Sequence, residues 1–290
     1  MLLTIDAGNT RTKWAVFNHT GEITQQGACL NETLATADLS PQSLNYERVA
    51  ISNVAGKQHA ALLAKKLAPY NLPVHWVRAS IEACDVFNAY AEPEILGTDR
   101  WAALIAAWRM KHAPCVVVNA GTAVTIDALA PRIDKYALAP KIDEDALTPG
   151  IDKIALTNSS DSEQQGEFLG GMILPGLDLM QKSLGLATAQ LPKNGTLQSA
   201  NKRDIADIFA KNTTQAINAG ALSAVAGAIM LMANALAQKC GQKPCVILSG
   251  GNALAIQNNL AGTVTNQVII VDNLVLQGLY LLEHSVQNSN

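Results

Sequence analysis

Cysteine is sparse and unpatterned in this 290-residue chain. The five, at positions 29, 84, 115, 240 and 245, make an odd number and show no C-x-x-C spacing. Cys84, Cys115 and Cys245 lie in or beside apolar stretches and read as reduced packing residues. Charge of one sign is also lacking: a net −3 gives no argument for nucleic acid or a membrane surface as partner. The N-terminus has no basic segment followed by a 7–15-residue apolar core, because Asp6 interrupts the run at once. No export signal is therefore expected, and the reading is a soluble cytoplasmic protein. Charge is absent altogether between Lys211 and Lys239, and residues 219–236 are mostly apolar. That length reaches the ~18 residues that suggest a membrane span. Asn218, Ser223 and Asn234 interrupt it, however, small residues dominate, and only single lysines flank it. A helix buried between domains or subunits is expected instead. Finally, the chain has no G-x-x-x-x-G-K-[ST] loop.

What is present begins at residues 6–13, Asp-Ala-Gly-Asn-Thr-Arg-Thr-Lys, between the apolar runs 2–5 and 14–17. Runs of branched and aromatic residues broken by turn formers predict a β-hairpin. Its turn holds what a nucleotide site needs. Asp6 can hold Mg²⁺ directly or through water, and Gly8 lets the backbone approach a phosphate. Asn9 and Thr10 offer donors, and Lys13 brings a compact positive charge. Taken alone, the motif also fits an ordinary polar turn. A related pattern recurs at 115–127, where an apolar strand meets Asn119, then Gly121-Thr122, then a second strand. A third piece, residues 246–253, is an apolar strand ending in Gly250-Gly251, where close backbone approach suits a flat adenosine moiety. Two strand–turn–strand loops suggest two similar α/β halves facing each other across a nucleotide cleft. A hydrophobic share of 49% supports sizeable cores in two domains, or one large one. Between the loops, the punctuation predicts strands at 48–53 and 74–77 and helices at 56–68 and 100–112. A last helix over 272–284 is expected to cross back onto the first half.

The three pieces resemble the superfamily of acetate and sugar kinases, heat-shock cognate chaperones and actin. More closely, Asp6-x-Gly8-Asn9-Thr10-x-x-Lys13, Gly97-Thr98-Asp99-Arg100, Gly121-Thr122-Ala123, Gly170-Gly171-x-Ile173-x-Pro175-Gly176, Asn212-Thr213 and Leu274-x-Leu276-x-Gly278-Leu279 resemble type III pantothenate kinase, in family order. The resemblance implies an α/β fold of two ribonuclease H-like (actin-like ATPase) domains, here 1–112 and 113–290. It implies phosphorylation of pantothenate by ATP, the first step of coenzyme A biosynthesis. On that basis Asp6, Ala7, Gly8, Asn9, Thr10, Arg11, Thr12 and Lys13 hold the ATP phosphates with Mg²⁺, and Thr122 reaches ATP from the opposite domain. Tyr90, Gly97, Thr98, Asp99 and Arg100 line the pantothenate site, and Thr213 completes it from the partner subunit of a homodimer.

Asp99 is the base to which the resemblance points. A carboxylate with a pKa near ~4 is weak, but in a loose phosphoryl-transfer transition state the proton leaves late and orientation matters more. Helix capping is the structural alternative for Asp99. Arg100 orients the substrate carboxylate or makes a structural salt bridge. The family commonly has Asp where this chain has Asn119, and uses that carboxylate to bind K⁺ or NH₄⁺. Asn keeps one oxygen and loses the charge, so cation affinity is expected to fall or the requirement to change. The other departure is a degenerate repeat over residues 126–156, followed by a polar tract to Gly166, where a short hairpin turn is expected between Asp127 and Phe168. Its units are too short for a solenoid and the first three end in a proline, so it reads as a surface extension of the hairpin over about 128–166. A non-catalytic or dual-function accessory factor of the Bvg type is the alternative function, and another kinase or a phosphohydrolase on this fold is the second.

Overall fold

The apolar run of residues 2–5 gives way to polar residues at Asp6 and resumes at Trp14, and the chain reverses between them. In the computed structural model, which describes residues 1–37, 39, 46–132, 164–187, 208–261 and 267–288, β1 (Leu2–Ala7) pairs antiparallel with β2 (Arg11–Phe17). Strand β3 (Ile23–Leu30) adds antiparallel to β2. On the other side β4 (Arg48–Asn53) and β5 (Val74–Trp76) run parallel to β1, joined by helix α1 (Lys57–Leu67). The sheet order is β3-β2-β1-β4-β5.

After β6 (Glu82–Ala83), β7 (Val86–Asn88) and helix α2 (Thr98–Lys111), the same plan is built again. Strands β8 (Cys115–Ala120), β9 (Ala123–Pro131) and β10 (Gly166–Pro175) form an antiparallel meander. Helices α3 (Leu177–Ala187) and α4 (Thr213–Cys240) follow. Strand β11 (Cys245–Ser249), helix α5 (Ala253–Leu260) and strand β12 (Val268–Ile270) then place two parallel strands beside β8. The order β12-β11-β8-β9-β10 repeats that of the first sheet, and β7 and β6 extend it at the β10 edge. Two copies of one α/β plan are the architecture expected from the paired loops.

Helix α2 is buried continuously from Arg100 to Trp108 and shares a core with both sheets. Helix α6 (Leu274–Asn288) crosses back, as its sequence predicts, and packs on α2, β1 and β4. The α2–α6 contact is so close that a Cβ on Gly278 would lie 1.8 Å from the carbonyl oxygen of Ala102. Glu283, nearly buried, binds His75 Nδ1 at 2.6 Å and lies 3.8 Å from Arg48, tying the end of α6 to β4 and β5.

Helix α4 is long and apolar enough to cross a membrane. One face, carrying Leu222, Val225, Ile229 and Leu236, is buried in the core of the second half against Val116, Val118 and Ile126. The opposite face leaves Gly220, Ala224, Gly227 and Leu231 exposed.

The hairpin extension needs one correction. Its first repeat unit, residues 126–131, belongs to β9, where Ile126, Ala128, Leu129 and Ala130 are buried. A continuously buried run carries the strand to Pro131, and the extension starts beyond it. Its base is clamped. The Arg132 N–H donates to the Gln165 carbonyl at 2.8 Å, and the Arg132 guanidinium stacks 4.2 Å from the Phe87 ring. The remaining repeat units and the polar tract to Glu163 lie outside the described residues.

Candidate active site

Three loops meet at the carboxyl ends of β1, β8 and β11. The first closes with the Gly8 N–H donating to the Arg11 carbonyl at 3.1 Å, leaving Asn9, Thr10 and Arg11 exposed. Across the cleft, the Thr10 and Thr122 hydroxyls are hydrogen-bonded at 2.7 Å. The second loop is held by its own turn, Gly121 N–H to Ala123 carbonyl at 3.0 Å, and by the Gly176 N–H on the Thr122 carbonyl at 2.9 Å. The third loop joins the second through the Asn252 N–H on the Ala120 carbonyl at 3.3 Å. Gly250 there has φ +99° and passes so close to Ala120 that a side chain would collide. The three glycine-bearing turns singled out in the sequence thus form one continuous surface.

The Thr12 hydroxyl does not face that surface. Thr12 is fully buried, and its hydroxyl is engaged by Asn31 and His59 on the inner side of the loop. Lys13 sits opposite Asp6 in the β1–β2 ladder. Asp6 Oδ1 is sealed from solvent with no hydrogen-bond partner. Burial, reinforced by the charge of Asp99 and opposed by Lys13, pushes this carboxyl up to about 7. An orphaned carboxylate oxygen beside a second carboxylate is a place where a cation is wanted. Among the described residues no cluster of three or more His, Cys, Asp or Glu forms a metal cage. The donor set suits Mg²⁺, which commonly takes one or two carboxylates and completes its shell with substrate phosphate and water.

Asp99 stands in the first turn of α2, where its Oδ1 accepts from the Arg100 N–H at 2.8 Å. It therefore does help cap the helix. Burial raises its carboxyl, and the Arg100 N–H and guanidinium oppose the rise. Thr98 beside it shares a 2.7 Å hydrogen bond with Ser52, the β4 residue paired with Asp6, so the two carboxylate-bearing elements are joined. Arg100 is buried and its guanidinium is committed: Nη2 and Nε hold Asp127 at 2.5 and 3.2 Å, and Nη1 donates to the Tyr90 hydroxyl at 2.9 Å. Of the two readings of Arg100, the geometry displays the salt bridge. A Cβ on Gly171 would sit 2.0 Å from Asp127 Oδ1, so the glycine makes room for this pair.

The sequence reading did not anticipate Asp127 or Ser52 as site residues. Asp127 had a signal, since a carboxylate between the apolar residues Ile126 and Ala128 must be paired if buried. Ser52 had none. Asn119 is the penultimate residue of β8, opposite Thr125 and Ser249. Thr213 opens α4 after the Asn212 cap, which accepts from the Gln215 N–H at 2.9 Å. It lines a mainly apolar cavity of about 530 Å³ with Pro175, Met180, Leu184, Ile217 and Gly220. Among the described residues it makes no hydrogen bond to Tyr90, Asp99 or Arg100 of its own chain.

The family model for type III pantothenate kinase matches residues 2–136 and 162–235. The chain belongs to that family. A type III pantothenate kinase of Methylobacillus flagellatus is 40% identical over 98% of both chains. That of Nitrosospira multiformis is 37% identical over 96% of this chain and 89% of its own. Members of the family carry out the first step of coenzyme A biosynthesis, and kinase membership implies use of ATP. Solved structures agree on the fold. A Campylobacter jejuni protein named as a Baf-family transcriptional activator superposes with TM-score 0.53 at 17% identity over 99% of each chain. A Sinorhizobium meliloti protein named as a 2-dehydro-3-deoxygalactonokinase gives 0.50 at 12%, also over 99% of each. At those identities the likeness establishes the fold alone, and nothing favours a non-catalytic role.

Proposed function

We propose that this protein transfers the γ-phosphoryl group of ATP to the primary hydroxyl of pantothenate, giving 4′-phosphopantothenate. The observation that carries the reading is the continuity of the three loops with Asp6 and Asp99 alongside. In-line phosphoryl transfer needs mainly positioning, charge neutralisation and an acceptor for the hydroxyl proton. The exposed turn Gly8, Asn9, Thr10 and Arg11, with Lys13 and Thr122, cradles the phosphates. Asp6 would hold Mg²⁺, directly or through water, and the bound ion would supply charge neutralisation at the phosphates. Asp99 accepts the proton of the attacking hydroxyl, and the partly buried Asp99 carboxyl is a better base than an exposed one. Tyr90, Gly97 and Thr98 line the substrate pocket. Arg100 shapes that pocket from within its pair with Asp127.

A monovalent cation, K⁺ or NH₄⁺, would be held with the Asn119 oxygen among its ligands and would supply positive charge to the phosphates. The protein works in the cytoplasm as a homodimer in which Thr213 completes the partner's pantothenate site. The joint presence of a metal-holding carboxylate, a base and a phosphate cradle in one cleft favours catalysis over a purely regulatory scaffold. The test is ATP-dependent phosphorylation of labelled pantothenate by the purified protein and by Asp99→Asn. The variant keeps shape and capping ability, and loss of a general base costs about 10²–10⁴-fold in rate. A folded Asp99→Asn with kcat within a few-fold of wild type would reduce Asp99 to a helix cap.

A further inference from the structure

Asn31, just after β3, grips the first loop from behind at three points. Its backbone N–H donates to the Thr10 carbonyl at 3.0 Å. Its side-chain Nδ2 donates to the Gly8 carbonyl at 2.8 Å. Its Oδ1 accepts from the Thr12 hydroxyl at 3.0 Å. The Thr12 hydroxyl in turn lies 2.8 Å from His59 Nε2 on α1. The direction of every bond in this chain follows. A carbonyl can only accept, so the Asn31 amide nitrogen faces Gly8 and its oxygen faces Thr12. That spends the one proton of the Thr12 hydroxyl, and His59 must donate from a protonated Nε2.

The consequence lies on the other side of the loop. The peptide bonds are trans, so a carbonyl held inward turns the following N–H outward. With the Gly8 and Thr10 carbonyls drawn toward Asn31, the Asn9 and Arg11 amides face away from it, on the side where the loop is exposed. Backbone amides fixed in advance bind an anion without the cost of ordering a loop on arrival.

We propose that Asn31, braced by Thr12 and His59, is the positioning residue of the first phosphate loop: it presets the loop for nucleotide phosphates before the nucleotide binds. The inference deepens the kinase reading, on which it rests for the identity of the ligand. The test measures binding of a non-hydrolysable ATP analogue with Mg²⁺, together with KM for ATP and for pantothenate. Asn31→Ala is expected to raise the analogue Kd and the ATP KM about tenfold, while the pantothenate KM stays within about twofold. His59→Leu should raise the analogue Kd about threefold, and His59→Gln, which offers an amide N–H near the position of Nε2, should restore it. Nucleotide affinity unchanged in both Asn31→Ala and His59→Leu overturns the proposal, as does an equal rise in both KM values. If Asn31→Ala does not fold, the partly exposed His59 decides. A loss in the Leu variant restored by Gln supports the proposal, and no loss overturns it. Failure of the wild type to phosphorylate pantothenate would sink the kinase reading while leaving the analogue measurements intact.

Discussion

Burial lifts the Asp6 carboxyl from 3.8 to about 7, and that rise has a sign in stability. Between those pH values the folded chain keeps a proton that the unfolded chain has released. Stability therefore falls as pH rises from about 4 to about 7 and levels off above, at about 1.4 kcal/mol per unit of pH. Asp6→Asn should remove this slope. Urea midpoints for the two proteins, without Mg²⁺ or nucleotide, should diverge between about pH 4 and about pH 7 in favour of the variant and stay apart above. Parallel midpoints would mean that Asp6 is solvated. The same substitution should cripple activity, since an amide cannot neutralise a metal ion. At Asn119 the prediction runs the other way. A neutral oxygen in place of a carboxylate forfeits about 1–4 kcal/mol of attraction for a nearby cation at surface-like dielectric. Asn119→Asp should lower the K⁺ concentration for half-maximal activity about tenfold or more, at constant ionic strength with choline as the balancing ion. Tight K⁺ activation unchanged by the substitution would place the cation on other oxygens.

The hairpin formed by β9 and β10 is complete without its extension. Ladder pairing runs from Ala123–Pro175 to Pro131–Gly166, and the Arg132–Gln165 bond closes it. Deleting residues 133–163 and joining the ends through a Gly-rich turn should leave kcat and KM nearly intact, because loop length adds little to stability. A folded deletion that loses activity or dimerises poorly would assign the extension to the site or an interface. The limits of the sequence reading show at this same hairpin. Short apolar runs rich in branched residues announced β1, β2, β4 and β8 clearly, and turn glycines announced the loops. The repeat in residues 126–131 masked the continuation of the second strand beyond Asp127, because a periodic motif and a buried run look alike until a partner strand is known. Residues 82–88 gave no signal that they would join the second sheet through β10. The role of Asn31 was hidden for the same reason. Its partners Gly8, Thr10 and Thr12 lie up to 23 positions away, and only the folded β2–β3 ladder brings them together.

The two sheets share one strand order, so the cleft between them lies at the carboxyl ends of their central strands, where α/β sheets generally bind ligands. The Thr10–Thr122 bond spans that cleft. The proposed dimer adds a second scale of contact, and it can be tested by complementation. Asp99→Asn and Thr213→Arg should each be inactive. If Thr213 serves the partner's site, a refolded equimolar mixture should recover up to about a quarter of wild-type activity, from the one intact site in each mixed dimer. No recovery from a mixture that dimerises would place Thr213 in its own chain's site or outside both.

Helix α6 has a consequence for how the protein is made. Its Leu276 and Leu279 share a core with Leu2, Ala15 and Ala50, and Tyr280 stacks on Phe17 at 4.8 Å. Strand β5 ends at Trp76 and α6 begins at Leu274. A ribosome adding about 5–20 residues per second needs about 10–40 s to span that gap. Throughout it, the part of the first sheet's apolar face that α6 covers stays open, with only α2 available to pack there. The first half to be synthesised is therefore the last to be finished, and a nascent chain stalled before Leu274 presents the surface that holdase chaperones bind.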